Sequence, residues 1–268
     1  MPIDLTRIAE HIREVAAARI VPRFQKLAAH EISSKTSLQD LVTVADIEAE
    51  ADLIRILTAV LPGSLALGEE AVSRGEAAID VLVDNPAPVW VIDPVDGTNN
   101  FASGKPIFGT MVALVQSGET RAAWIFDIPG NRMLMGERGC GITLNDEPLR
   151  LPPAGQKPLS DMKGFISTKF VPADMRAEVK KRVGQFVVAD AWMCCAHEYL
   201  SLCLGVRDFS FYSRIKPWDH LAGVMLFEEA GGYARKWDGS LYRPGEDGGG
   251  LISARDENAW QGVRQALL

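Results

Sequence analysis

An α+β fold is predicted for this chain, with two αβ layers sharing mixed sheets. Three observations carry that expectation. Two amphipathic helical stretches fill the first sixty residues, short apolar runs with hairpin punctuation follow to about residue 150, and strand-length and helix-length segments alternate thereafter. The 268 residues suffice for one large domain or two closely joined ones.

Leu5, Ile8, Ile12, Val15, Ile20 and Phe24 approximate helical spacing, and Ala16-Ala17-Ala18 adds propensity, so residues 4–29 read as one long helix. A second helix covers 44–60, with Ile47, Ala51, Ile54 and Leu57 on one face, Thr43 as its cap and Leu61-Pro62-Gly63 as its stop. Strands are expected at 65–67, 89–92, 110–115, 122–126 and 133–135, with Gly118-Glu119 and Pro129-Gly130-Asn131 as turns between three of them. Asn145-Asp146-Glu147-Pro148 reads as a further turn. Pro152-Pro153-Ala154-Gly155 reads as a connector, which divides an α+β domain at 1–150 from an α/β domain at 151–268.

Beyond the connector, strands are expected at 164–167, 186–190 and 208–212, and helices at 172–184, 195–204 and 218–230. A strand pair near 233–243 follows, and then a strand from Leu251 to Ala254. Gly248-Gly249-Gly250 is a turning or mobile loop rather than a phosphate loop, because no helix follows it directly.

Apolar content of 47% and charged content of 24% are those of an ordinary globular protein. A net charge of -7 argues against a surface built to neutralise nucleic-acid phosphates. An anionic substrate stays open, since a bound divalent metal inverts the local field. The four cysteines show no paired metal-ligand spacing, and adjacent Cys194-Cys195 would form a strained ring, so buried free thiols are expected. There is no leader-like start and no apolar run of about 18 residues, so a reduced cytoplasm without a membrane is expected.

Chemistry is concentrated in Trp90-Val91-Ile92-Asp93-Pro94-Val95-Asp96-Gly97-Thr98-Asn99-Asn100-Phe101. An apolar strand delivers two aspartates into a Gly-Thr turn, where both can fold toward one point. Such oxygen ligands suit a hard divalent cation. If Gly97 and Thr98 open a helix, their amides face an anion. Metal and phosphate on one turn point to a metal-dependent phosphate-ester enzyme. Three more acidic sites stand at element ends: Glu69-Glu70 after Gly68, Asp219 after Trp218, and Asp46 at the start of the second helix. Each alone is as well explained by a cap or a solvated turn.

Together, in this order, they resemble the inositol monophosphatase family of Mg²⁺-dependent, lithium-sensitive phosphatases. The matching motifs are Gly68-Glu69-Glu70, Asp93 to Phe101, and Trp218-Asp219 with Ala222-Gly223 and Glu229-Ala230-Gly231-Gly232. Lys35 followed by Asp40-Leu41-Val42-Thr43 and Asp46 is the fourth. The resemblance implies a layered αβαβα sandwich of the inositol monophosphatase and fructose-1,6-bisphosphatase type. It implies that Glu69, Asp93 and the Val95 carbonyl hold one Mg²⁺, that Asp93, Asp96 and Asp219 hold a second, and that Glu69 shares a weaker third. Thr98 with Asp46 would orient and deprotonate the attacking water, while the Gly97 and Thr98 amides hold phosphate oxygens. In such a scheme one ion makes hydroxide available near neutral pH and the other stabilises the leaving alkoxide.

The substrate-reading half departs from the family pattern. The usual Arg-x-x-Gly-Ser/Thr-Ala stretch reads Asp190-Ala191-Trp192-Met193-Cys194-Cys195-Ala196 here, and Tyr212 stands where a glutamate seven residues before the Trp-Asp aspartate grips sugar hydroxyls. Tyrosine cannot accept from two neighbouring hydroxyls as a carboxylate can. Arg214, pointing inward, would favour a second phosphate or a carboxylate; pointing outward it is a solvated or interface residue. Cys195, Tyr212 and Arg214 are therefore the expected substrate contacts. His197 and Glu198 diverge as neighbours on a helix, so a packed histidine is expected. Asp190 reads equally as a polar contact or a strand end, and Trp192 and Trp218 as core or site wall.

The expected activity is hydrolysis of a small phosphate monoester with two to three Mg²⁺ ions. Bisphosphate phosphatases of the 3′(2′),5′-nucleotidase or fructose 1,6-type and a histidinol-phosphatase are the alternatives. A non-catalytic regulator resembling family members that contact the transcription machinery is another. A homodimer is implied by the resemblance, with a small phosphorylated metabolite as the partner and no nucleic acid.

Overall fold

The computed structural model describes residues 3–34, 41–83, 85–153, 155 and 157–268, so the expectations at Lys35 and Asp40 lie outside the described residues. The helices are α1 (Leu5–Val15), α2 (Val44–Val60), α3 (Glu69–Ser73), α4 (Thr98–Ala102), α5 (Ala173–Arg182), α6 (Cys195–Cys203), α7 (Pro217–Glu229) and α8 (Glu257–Leu267). The strands are β1 (Ile32–Ser34), β2 (Leu41–Thr43), β3 (Leu65–Gly68), β4 (Val89–Asp96), β5 (Gly109–Gln116), β6 (Glu119–Asp127) and β7 (Arg132–Glu137). They continue with β8 (Gly141–Leu144), β9 (Glu147–Leu149), β10 (Lys163–Ile166), β11 (Val188–Asp190), β12 (Phe209–Tyr212), β13 (Tyr233–Lys236) and β14 (Leu251–Ala254).

Strands β3 to β9 lie in sequence order in a seven-stranded sheet, antiparallel except for the β3–β4 pair. A second, five-stranded sheet has the order β11-β10-β12-β14-β13, and the short pair β1–β2 stands apart. Period-two alternation divides the large sheet between two cores. Trp90 and Ile92 of β4, Val112 and Leu114 of β5, and Trp124 of β6 face α1 and α2. Val89, Val91, Met111, Ala113 and Ile125 face the other way, onto Tyr199 and Leu202 of α6 and Leu221, Met225 and Leu226 of α7. Phe209 and Phe211 of β12 with Ile252 of β14 pack against Val179 of α5 and Trp260 and Val263 of α8. The layers are therefore α1/α2, large sheet, α6/α7, small sheet, α5/α8. This is the αβαβα sandwich.

Besides the short elements β1, β2, α3, β8 and β9, which the sequence reading does not mark, three elements differ from expectation. The helix over 4–29 is α-helical only to Val15, continues as a π-helical turn over Ala16–Ile20 and ends in a tight turn at Val21–Arg23. Pro22 lacks an N–H and crowds the carbonyl four residues back, so the ladder cannot pass it. The strand pair near 233–243 is β13 alone; its partner is β14, because Asp238 and Ser240 fold the chain into a turn (Ser240 N–H to Asp238 Oδ1, 2.9 Å). Helix α8 was not anticipated, although Asp256 caps it by accepting from the Ala259 N–H at 2.8 Å and Trp260, Val263 and Leu267 line its buried face. The turn at Asn145-Asp146 closes the β8–β9 hairpin, both residues having the positive φ that a two-residue connection favours. The cysteines are unpaired, but Cys140 is exposed and Cys195 only partly buried, so the expectation of buried thiols holds at Cys194 and Cys203 alone.

Candidate active site

Strand β4 breaks its register with β5 between Asp93 and Asp96. Pro94 has no N–H for the ladder, and its carbonyl accepts instead from the Thr110 hydroxyl at 2.8 Å. The irregularity aims both aspartates at one end of the sheet. Gly97 then turns with φ +86°, and an added Cβ would sit 2.8 Å from the Ile107 carbonyl oxygen and 3.2 Å from Cys194 Cβ. Only glycine fits there. Thr98 opens α4 directly after it.

The carboxylates of Glu69, Asp93 and Asp219 converge, with ligand oxygens within 4.8 Å of one another. Three hard oxygen donors so close are mutually repulsive and match the coordination of a divalent cation such as Mg²⁺. The donor set therefore fits the expected metal. Thr98 Oγ1 lies 3.0 Å from Asp46 Oδ1 and 2.9 Å from the Val95 carbonyl. The other oxygen of Asp46 accepts from the N–H (2.9 Å) and hydroxyl (2.5 Å) of Thr43, which fixes it at the start of α2.

Asp96 is not in the three-carboxylate group. Its Oδ2 accepts from the Ala196 N–H at 2.6 Å and the Cys194 thiol at 3.0 Å, so it caps the start of α6. Burial raises its pKa, against the pull of those donors and of the Cys195 N–H. The same surroundings hold the Cys194 and Cys195 thiols protonated: burial first, then the nearby Asp96 charge.

Cys195, Tyr212 and Arg214 all line the same open cleft as Glu69, Asp93, Thr98 and Asp219. Tyr212 donates its hydroxyl to Glu198 Oε2 at 2.5 Å, and Glu198 Oε1 accepts from the Trp192 N–H at 2.7 Å. Burial pushes Glu198 up to about 7, although those two hydrogen bonds favour its charged form. Arg214 stacks its guanidinium over Phe170 at 4.0 Å. Its carbonyl is held by His220 Nε2 at 3.1 Å, while His220 Nδ1 meets the Tyr199 hydroxyl at 3.0 Å. Burial lowers His220 to about 3, so it is a neutral strut.

Asp190 pairs with Arg207 at 3.0 Å, outside the cleft lining. His197 is buried against Asp127 and the Phe108 carbonyl, 3.1 and 3.2 Å from its Nε2. Trp218 is buried in the core beside Asp219.

A model of the inositol monophosphatase family matches residues 3–267 of the sequence. The chain belongs to the inositol monophosphatase family. Its family relatives include the Nus factor SuhB of Xylella fastidiosa, 32% identical over 219 residues, 76% of this chain and 72% of that protein. Another is the fructose-1,6-bisphosphatase/inositol-1-monophosphatase of Thermotoga maritima, 27% identical over 216 residues, 78% of this chain and 76% of the other. The fold is shared with an IMPase/NADP phosphatase solved with Mg²⁺ and phosphate, at a TM-score of 0.82, 18% identity and coverage of 98% and 94%. The family's chemistry is Mg²⁺-dependent phosphate-ester hydrolysis.

Sequence reasoning passed over Glu50, Lys169 and Phe170, and gave Glu198 no role. Glu50 accepts from the Glu70 N–H (2.7 Å) and the Ala71 N–H (2.9 Å), holding the first turn of α3, which Glu69 opens. Its signal was available: Glu50 stands four residues after Asp46, on the same face of α2. Glu198 was signalled only by a charge in a helix otherwise buried. Lys169 and Phe170 lie on a loop, where no periodicity points to a cleft.

Proposed function

We propose that this protein hydrolyses a small-molecule phosphate monoester with Mg²⁺, as an inositol monophosphatase-like enzyme. The convergence of Glu69, Asp93 and Asp219 beside the Thr98–Asp46 hydrogen bond carries the reading. Two to three Mg²⁺ ions, held by Glu69, Asp93, Asp219, the Val95 carbonyl and Asp96, would supply positive charge that acidifies water and offsets the leaving oxygen. Thr98 Oγ1 takes the proton of the attacking water as its own hydroxyl proton passes to Asp46 Oδ1. A threonine hydroxyl is a poor base alone, and the 3.0 Å contact to a carboxylate already fixed by Thr43 remedies that. The Gly97 and Thr98 amides at the start of α4 receive phosphate oxygens. In this reading residues 1–150 supply Glu69, Asp93, Asp96 and the Thr98–Asp46 pair, and 151–268 complete the site with Asp219. A cytoplasmic homodimer is the proposed working form; no helix among the described residues is long and apolar enough to cross a membrane.

The test is phosphate release from inositol 1-phosphate, histidinol phosphate, fructose 1,6-bisphosphate and 3′,5′-adenosine bisphosphate, with Mg²⁺ and with EDTA. Mg²⁺-dependent turnover of at least one is expected. Absence of release from all four and from a wider phosphate-ester panel would overturn the reading. A regulatory role is the second reading, favoured by the Nus factor name of a relative; it predicts that Asp93→Asn leaves the biological role intact.

A further inference from the structure

Cys195 at the start of α6, with Asp219 and His220 in the first turn of α7, brings a thiol, a carboxylate and an imidazole within 4.8 Å of one another. All three line the cleft, so a metal held by them keeps a position open to water. Asp219 belongs to the Glu69–Asp93 group as well. The two donor sets differ in kind. Carboxylates suit Mg²⁺, whereas thiolate sulfur and imidazole nitrogen are poor ligands for Mg²⁺ and good ones for Zn²⁺. Tetrahedral zinc sets its donors about 3.3–3.6 Å apart, so it would draw in side chains that are already grouped.

His220 is oriented as zinc-binding histidines are. Its Nε2 lies 3.1 Å from the Arg214 carbonyl oxygen, which can only accept, so Nε2 carries the ring hydrogen and Nδ1 keeps the lone pair. That lone pair takes the Tyr199 hydroxyl at 3.0 Å. Ser253 Oγ is buried beside Tyr199 with no hydrogen-bond partner among the described residues, and it offers that hydroxyl another acceptor. The imidazole can therefore exchange a hydroxyl for a metal without stranding a buried O–H.

We propose that Cys195, Asp219 and His220 form a Zn²⁺ site that shuts the enzyme off by drawing Asp219 out of the Glu69–Asp93 group. The site stands on its donor set; the shut-off rests on the phosphatase reading above. Cys195 binds as the thiolate and its proton leaves to solvent, while Asp219 binds as the carboxylate and His220 through its Nδ1 lone pair. Zn²⁺ and Mg²⁺ then compete for one carboxylate, although their other donors differ.

The test is cobalt spectroscopy on the EDTA-treated full chain carrying Cys140→Ser, which removes the exposed thiol. Co²⁺ reports sulfur ligation by a charge-transfer band in the near ultraviolet. That band is expected to saturate at one Co²⁺ per chain, and Zn²⁺ should displace it. Cys195→Ser should erase the band and weaken Zn²⁺ binding by at least the roughly 10–100-fold that loss of an outer partner costs. Tyr199→Phe should tighten Zn²⁺ binding roughly 2- to 10-fold by removing the competing hydroxyl, a gain that a merely structural tyrosine would not give. In phosphate release at fixed Mg²⁺, the Zn²⁺ concentration for half-inhibition should move in each variant by the same factor. No sulfur band in the parent, or a band that outlasts Cys195→Ser, overturns the site; turnover would leave the phosphatase reading standing. A band that Cys195→Ser erases, with no turnover of any phosphate ester, keeps the site and overturns the phosphatase reading. Turnover that Zn²⁺ inhibits equally in the parent and in Cys195→Ser overturns the shut-off.

Discussion

The two walls of the cleft are held in place by different means. On the metal wall backbone groups supply much of the restraint. Asp46 and Glu50, one turn apart on α2, accept from backbone N–H groups of Thr43 and of Glu70 and Ala71. Gly97 is confined to a left-handed turn, and Pro94 forces the break that aims Asp93 and Asp96. On the facing wall more of the restraints run between side chains: Tyr212 on Glu198, Arg214 on Phe170, His220 on Tyr199. Backbone restraint tolerates almost no substitution, since a wrong residue clashes or leaves a buried amide unpaired. Side-chain pairs can be exchanged for other pairs. Such a difference would let one wall keep a family's chemistry while the other is rewritten for a different molecule.

The comparison predicts that lesions on the metal wall act on every substrate alike. Asp93→Asn should lower Mg²⁺-dependent phosphate release by about 1,000-fold or more on any phosphate ester, because a metal clamp is worth several kcal/mol. The fold should survive, and the metal-free melting temperature should rise, since one of three converging charges is removed. Differential scanning fluorimetry in EDTA checks the second half. Near wild-type turnover would refute the metal assignment.

Glu50→Gln is the next largest. It leaves the converging carboxylates in place, yet sets an amide NH2 against the Glu70 or Ala71 N–H and loosens the first turn of α3, which Glu69 opens. Supporting residues of this kind typically cost 10–100-fold in metal affinity or activity. The Mg²⁺ concentration for half-maximal activity should rise about ten-fold for all substrates, with maximal turnover less affected. An unchanged Mg²⁺ requirement would mean that Glu50 serves packing alone.

On the opposite wall, Glu198→Gln and Tyr212→Phe should act selectively. Tyr212→Phe removes the 2.5 Å hydrogen bond that sets the Tyr212 ring in the cleft, and Glu198→Gln weakens it by taking away the carboxylate charge. The Glu198 change also weakens the hold on the Trp192 N–H. Losses of about 3- to 10-fold in kcat/KM are expected, differing between substrates and carried by KM, while the Mg²⁺ requirement stays put. Equal losses on all substrates together with an altered Mg²⁺ requirement would erase the distinction between the walls.

Legibility in the sequence follows the same division. Asp93 to Phe101, Glu69 and Asp219 stand at element ends in short, rigid spacings, and the structure brings Glu69, Asp93 and Asp219 together. Asp46 was readable because a cap position is local. The layered fold was readable from the order of elements and from short apolar runs such as Val89 to Ile92, whose alternate residues face opposite cores. What stayed hidden depends on distant chain segments meeting. Glu198 faces the cleft only because of how α6 docks, and Lys169 and Phe170 because of a loop path. The end of the first helix was misread because apolar spacing continued past Pro22, where the backbone could not.

The smallest effect on catalysis should come from Asp127, which supports α6 from behind the cleft. Burial alone would raise its pKa, but hydrogen bonds from His197, the Gly130 N–H and Arg132 outweigh it and bring it down to about 2. A depressed carboxylate contributes stability that is fully present above its unfolded value, 3.8, and is lost as the pH falls through about 2. Allowing for screening through the half-exposed Arg132, the contribution at neutral pH is about 1–2 kcal/mol. Asp127→Asn should therefore lower the unfolding free energy by that amount at pH 7, and the gap to the parent should narrow steadily between pH 4 and pH 2. Urea melts across that range measure it. Turnover should fall by no more than about three-fold, since His197 keeps the Phe108 carbonyl as a second partner at 3.2 Å. A gap independent of pH would show that Asp127 acts through shape and hydrogen bonding rather than through its charge.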